Sequence, residues 1–214
     1  MDVAACDMSL DGECKLESRD IEIRQQFHKK RLQHFHDCPN TIVIDELGIA
    51  HGKNRADIAV LNGTFQCFEI KSSKDTINRL PEQLSEYSKC FDKISVISAP
   101  NHIQKIVPIL PSWCGLIVAT KGAKGAVAFK TIKRPRKNPQ LEITAMAHFL
   151  WRSEIIELLV SLGVEEKNLN QSRKKLYNLI PPTLTAQQLV QWIKIKFMCR
   201  KDWKVASQQM LCDD

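Results

Sequence analysis

The chain lacks an apolar run long enough to cross a bilayer, which excludes a helical membrane span. Its first residues, Met1 to Leu16, are mixed and acidic and contain no signal-peptide core, so a flexible start over residues 1–17 and a cytoplasmic location are expected. It lacks any C-x-x-C pair. Eight cysteines are present (Cys6, Cys14, Cys38, Cys67, Cys90, Cys114, Cys199, Cys212), at irregular spacings. The spacing argues against a structural zinc and a disulfide framework, and most of the cysteines read as small buried hydrophobes. His34 and His36 have no second ligand pair and read as a solvated helix end. Gly122-x-x-Gly125 lacks the rest of a phosphate-binding loop and reads as a turn. There is no internal repeat and no low-complexity tract.

What is present is an ordinary globular composition. Of 214 residues 43% are hydrophobic, enough for a real core in one domain with an appendage or in two small domains. The net charge is +7 and is unevenly placed. Lys121, Lys124, Lys130, Lys133, Arg134, Arg136 and Lys137 follow one another with no acid between them. Such a stripe attracts polyanions by releasing their counterions, so contact with nucleic acid is expected of it. The plainer reading is a solvated loop.

A helix is expected from Ser18 or Arg19 to about His36, with Ile21, Phe27, Leu32 and Phe35 on its apolar face. Strands are expected over Thr41–Leu47, Ala56–Leu61 and Thr64–Lys71. A helix near Pro81–Phe91, a strand Ile94–Ala99, a short helix Asn101–Val107, and strands Gly115–Thr120 and Ala126–Ile132 follow. This order predicts an α/β core with a mixed sheet flanked by helices over residues 18–133. Residues 134–144 read as a basic linker. Residues 145–214 read as an all-helical unit, suited to a protein partner. Its helices are expected over Ala145–Leu162 (closed by Gly163), Gln171–Leu179, and after Thr185, whose Gln188 completes a capping box. Trp113, Trp151, Trp192 and Trp203 read as core.

The segment Phe65-Gln66-Cys67-Phe68-Glu69-Ile70-Lys71 puts Glu69 and Lys71 on one face of a strand. A two-residue turn at Asn62-Gly63 would set Asp57 opposite Phe68, on the wrong face. A three-residue loop of Leu61, Asn62 and Gly63, or one of the same parity, brings Asp57, Glu69 and Lys71 together. Two carboxylates hold Mg²⁺ or Mn²⁺ weakly, leaving waters and room for a phosphate oxygen. Asp57, Glu69 and the Ile70 carbonyl would be ligands, and Lys71 would orient the attacking water or offset transition-state charge. The competing reading of Glu69 and Lys71 is a charge pair on a solvated sheet edge.

Asp57 followed by Glu69-x-Lys71 resembles the PD-(D/E)xK nuclease superfamily, whose fold is restriction-endonuclease-like, although Ala56 stands where that motif has proline. Gln83-Leu-Ser-Glu-Tyr87 resembles the Q-x-x-x-Y motif of the RecB-like branch. Residues from Arg55 to Phe91, with Leu150-Trp-Arg-Ser-Glu and Arg200-Lys-Asp-Trp203, are also similar to a small bacterial family of nuclease-like proteins. The resemblance implies a Mg²⁺-dependent nuclease that hydrolyses phosphodiester bonds in DNA, with Gln83 and Tyr87 lining the DNA side. It also implies a further glutamate, for which Glu22 and Glu46 are rival candidates, each otherwise a surface acid. Arg55 and Arg79 are candidates for phosphate contact or for plain salt bridges. Gln83 and Tyr87 could instead be a packed helix face. The alternative function is a catalytically inactive nuclease-like module that binds nucleic acid or a partner within a bacterial defence or mobile-element system.

Overall fold

The computed structural model describes residues 18–200; the expected flexible start, Cys6, Cys14, Cys212 and Trp203 lie outside them. A mixed sheet runs in sequence order through β1 (Ile42–Ile49), β2 (Asn54–Leu61), β3 (Phe65–Lys71), β4 (Lys93–Ser98), β5 (Gly115–Lys121) and β6 (Val127–Lys133). β1, β2 and β3 form an antiparallel meander, β3, β4 and β5 run parallel, and β6 returns antiparallel. The expected α/β core with a mixed sheet, flanking helices and C-terminal helices is what the chain adopts.

Each face of the sheet is covered, as strand alternation requires. Ile58, Val60, Phe68, Ile70, Ile97 and Ile117 face α1 (Asp20–Phe27) and the π-helical turn His28–Leu32, through Ile23, Phe27 and Leu32. His28 anchors that turn to the sheet, its Nε2 lying 2.9 Å from Asp45 Oδ1. A short α2 (Gln33–His36) completes the expected first helix. His36 is exposed, as expected, yet its Nε2 meets His28 Nδ1 at 2.9 Å.

Ala59, Leu61, Phe65, Cys67, Ile94 and Val96 face the other way, onto α3 (Leu80–Ser88) and the C-terminal helices. Those helices are α5 (Ile143–Ala147), α6 (Arg152–Ser161), α7 (Arg173–Tyr177) and α8 (Ala186–Cys199), after a short α4 (Ile103–Ile106). Phe65, Phe91, Phe149 and Phe197 pack edge-on or tilted in one core shared by the sheet and the C-terminal helices. The stretch read as a linker is pinned to that core. The Asn138 amide donates to the Ser88 and Phe91 carbonyls at 2.6 and 2.8 Å, and Arg136 N–H to the Trp113 carbonyl at 2.8 Å.

The expected helix Ala145–Leu162 is broken between α5 and α6. Trp151 is extended (ψ 162°), and its N–H is taken by the Glu154 carboxylate at 2.7 Å, which starts α6 afresh. Trp151 is 56% exposed rather than core, and lies against the Arg200 guanidinium. Gly163 ends α6 at φ 80°, as expected of a left-handed cap, and the Thr185–Gln188 capping box opens α8.

Candidate functional site

The β2–β3 hairpin sets the site. Leu61 pairs with Phe65, so the loop is Asn62-Gly63-Thr64, one residue further on than Leu61-Asn62-Gly63. The Asn62 side chain accepts from the Thr64 hydroxyl at 3.0 Å, and Gly63 takes φ 105°, which favours glycine. The parity is the expected one. Pairing runs out to Ile58 opposite Phe68, and the next step outward sets Asp57 opposite Glu69.

Beyond Ile58 the Asp57 carboxylate replaces the ladder. Its Oδ2 accepts the Ile70 N–H at 2.6 Å. The Asp57 carboxyl is pushed up to about 8, first by burial and then by the charge of Glu69. Glu69 is 1% exposed and sits mid-sheet between β2 and β4, so it is not on a solvated edge. Its Oε1 receives the Lys71 ammonium at 2.6 Å and its Oε2 the Tyr87 hydroxyl at 2.9 Å. Gln83 accepts from Lys71 at 3.0 Å through its amide oxygen, and its amide nitrogen lies 3.3 Å from the Tyr87 oxygen. The Tyr87 oxygen is also 2.6 Å from the Arg55 carbonyl. Burial raises the Glu69 carboxyl, while Lys71 and its hydrogen bonds oppose that rise. Burial and the Glu69 charge push the Tyr87 phenol far up.

Glu69, Lys71, Gln83 and Tyr87 thus form one closed network, with Asp57 beside it. Gln83 and Tyr87 are a packed helix face that also reaches into the site, one turn apart on α3. As donors to Mg²⁺ or Mn²⁺ these residues fit poorly. Both Glu69 oxygens are occupied by protein donors, and Asp57 Oδ2 is occupied by the Ile70 N–H. Among the described residues no group of three or more His, Cys, Asp or Glu is spaced to hold a metal ion.

The two rival glutamates go elsewhere. Glu22 is drawn to Lys121, with both oxygens 2.8 Å from its Nζ, and so does not reach Asp57. Glu46 lies within β1, across from Asp57 by register, and pairs with Arg24 and, at 3.5 Å, with Arg55. Sequence reasoning missed Arg24, which is 8% exposed and bonded to Asp20, Glu46 and Asp57. Its i,i+4 spacing from Asp20, beside the buried Ile23, was the available signal.

The basic residues divide. Lys121 is committed to Glu22, Lys133 donates to the Pro111 carbonyl at 3.1 Å, and Arg136 to the Ser112 carbonyl at 3.0 Å. Arg55, Arg79, Lys124, Lys130, Arg134, Arg136 and Lys137 are exposed. A second basic group lies in the π-helical turn, Lys29, Lys30 and Arg31, and two of its members reach β6. Lys30 donates to the Val127 carbonyl and Arg31 to the Phe129 carbonyl, each at 2.7 Å, across 97 and 98 residues of sequence. No helix among the described residues is long and apolar enough to cross a membrane.

Comparison with known proteins gives a different relationship from the one the motifs imply. The family profile described as bacteriophage P4 protein cII matches residues 22–211. Protein cII of Enterobacteria phage P4 is 32% identical over 126 residues, covering 59% of this chain and 47% of that protein, so the chain spans about half the length of this curated relative. No solved structure matches. These matches correct the reading drawn from Asp57 and Glu69-x-Lys71. The family found is not the PD-(D/E)xK nucleases, and neither a Mg²⁺-dependent nuclease nor an inactive nuclease-like module of a bacterial defence or mobile-element system is supported. The enzyme assignment falls with it. An acid followed at a distance by Glu-x-Lys also suits a buried polar network that satisfies itself, which is the arrangement of Glu69, Lys71 and Tyr87.

Proposed function

Starting from the chain's membership of the bacteriophage P4 protein cII family, we propose that it acts by binding nucleic acid, DNA first, through phosphate contacts on its β6 face. The observation that carries this reading is the junction of two basic segments. Lys30 and Arg31 dock on the β6 backbone, at the Val127 and Phe129 carbonyls, within the run that contains Lys124 and Lys130. The run from Lys121 to Lys137 holds no acid, and Glu22 is absorbed by Lys121. Clustered lysines and arginines gain affinity by releasing condensed counterions, a gain that does not depend on base sequence.

The test is a titration of a fluorescent DNA duplex with the full chain, read by anisotropy at stepped salt. Binding that tightens steeply as salt falls supports the proposal. A duplex left unbound at low salt contradicts it.

A protein partner is the second reading, favoured by large apolar side chains left open on α6 and α8: Val160, Ile195 and Met198 are 49%, 54% and 40% exposed. Light scattering of the chain with a candidate partner checks it, and a mass equal to the chain alone counts against it.

A further inference from the structure

Two histidines, a tyrosine and an arginine meet where the C-terminal helices reach the β1–β2 turn. His51 comes from that turn, His148 from the end of α5, and Arg173 and Tyr177 from α7. The ring centroids of His51 and His148 are 4.5 Å apart, those of His148 and Tyr177 4.7 Å, and those of His51 and Tyr177 6.2 Å. Arg173 Nη1 lies 3.5 Å from His51 Nδ1. Tyr177 is 4% exposed, and its hydroxyl is buried with no hydrogen-bond partner. A buried phenol ordinarily finds one, so this hydroxyl is a donor lacking its acceptor. The sequence holds no acid over residues 47–56, 143–153 and 167–201, the three stretches that supply the cluster. The acid that acts on His148 is Glu86 of α3, which is already paired with Lys89 at 2.6 Å. The His148 imidazole is held below its ordinary range, first by burial and then by His51 and Arg173. His51 and Arg173 are exposed, so the cluster opens to solvent on their side.

We propose that His51, His148, Arg173 and Tyr177 form a binding site for a phosphate group. The four side chains bring donors and positive charge together with no carboxylate among them, which suits an oxyanion. A guanidinium grips two phosphate oxygens as a fork, an imidazole N–H takes another, and the phenol O–H gains the acceptor it lacks. An anion there also offsets the mutual repulsion of Arg173 and the protonated imidazoles. The β1–β2 turn lies at the opposite end of the strand order from β6, about 20 Å away at the usual spacing of strands. The site therefore uses none of the β6 lysines and does not rest on the nucleic-acid reading of that face. A free phosphate and a phosphate of a nucleic-acid chain present the same oxygens, and the test separates them.

The test is a titration of the full chain with inorganic phosphate at constant ionic strength, read by calorimetry and by the His148 ring resonances. The wild type is expected to bind, and bound phosphate to raise the His148 titration midpoint, since an anion favours the imidazolium. Tyr177→Phe should bind about tenfold more weakly, with no fall in its thermal midpoint without phosphate, because the hydroxyl has no bond to lose. Arg173→Gln should weaken binding at least as much, and Lys124→Ala/Lys130→Ala should leave it unchanged. In that lysine background, a single-stranded oligonucleotide that displaces phosphate identifies nucleic acid as the source, and one that leaves it bound identifies a free phosphate; both results support the site. A wild type that binds no phosphate overturns the proposal, as does equal binding by Tyr177→Phe or a loss of binding in the lysine variant. A lower thermal midpoint for Tyr177→Phe also overturns it, by showing that the hydroxyl serves the fold.

Discussion

Lys71 and Glu69 are buried together, at 8% and 1% exposure, and each is tolerable only because of the other. Replacing one partner leaves an uncompensated buried charge. Lys71→Met is expected to cost about 3–5 kcal/mol in urea unfolding, and a change under about 1 kcal/mol would contradict the closed network around Glu69. Asp57 makes a prediction of the opposite kind. Its folded carboxyl is raised from 3.8 to about 8, so within that window the native chain keeps a proton that the unfolded chain gives up. Its contribution to stability is whole below 3.8 and is lost as pH rises toward about 8. Asp57→Asn stays neutral throughout and should flatten the fall of melting temperature over that window; parallel curves would refute the assignment. The residues Asp57, Glu69, Lys71, Gln83 and Tyr87 were legible because a strand repeats every two residues and a helix face every four. Arg24 was not, since a charged residue beside an apolar stripe reads as its solvated margin until the sheet places Glu46 and Asp57 against it.

Among the elements, strands were easier to locate than their ends and loops. β1 to β6 lie within a few residues of the expected segments, because runs of Ile, Val and Phe punctuated by glycine and asparagine leave little choice. The hairpin loop was placed one residue early, since the Asn62 side chain folds back on Thr64, an interaction that hydropathy does not record. The break between α5 and α6 was missed for a similar reason: apolar periodicity continues through it, and Glu154 capping Trp151 decides the matter. Gly115 marks a constraint of packing rather than pattern. A Cβ there would lie 2.7 Å from Ser95 Oγ and 2.9 Å from the Pro135 nitrogen. Gly115→Ala should therefore destabilise by about 1–3 kcal/mol, by forcing apart β4, β5 and the returning chain. A thermal midpoint equal to the wild type's would show that this close approach relaxes freely.

At the scale of the whole molecule, the sheet carries two unlike polar regions, one buried and one exposed. One is the self-satisfied polar network at the outer end of the β2–β3 pairing. The other is the positive face on which the π-helical turn meets β6. Motifs drew the sequence reading to the first and to nuclease chemistry. Membership of the P4 protein cII family removes that chemistry and leaves the charge of the second face to be accounted for. Part of it was visible as the run from Lys121 to Lys137; Lys30 and Arg31 became part of it only through long-range docking. The decisive measurement is the salt dependence of duplex DNA binding by the wild type and by Lys124→Ala/Lys130→Ala. The slope of log Kobs against log salt should be negative for the wild type and shallower by about 2 in the double variant, roughly one unit for each phosphate that is no longer neutralised. Equal slopes, or a wild type that binds no DNA at low salt, would contradict the account.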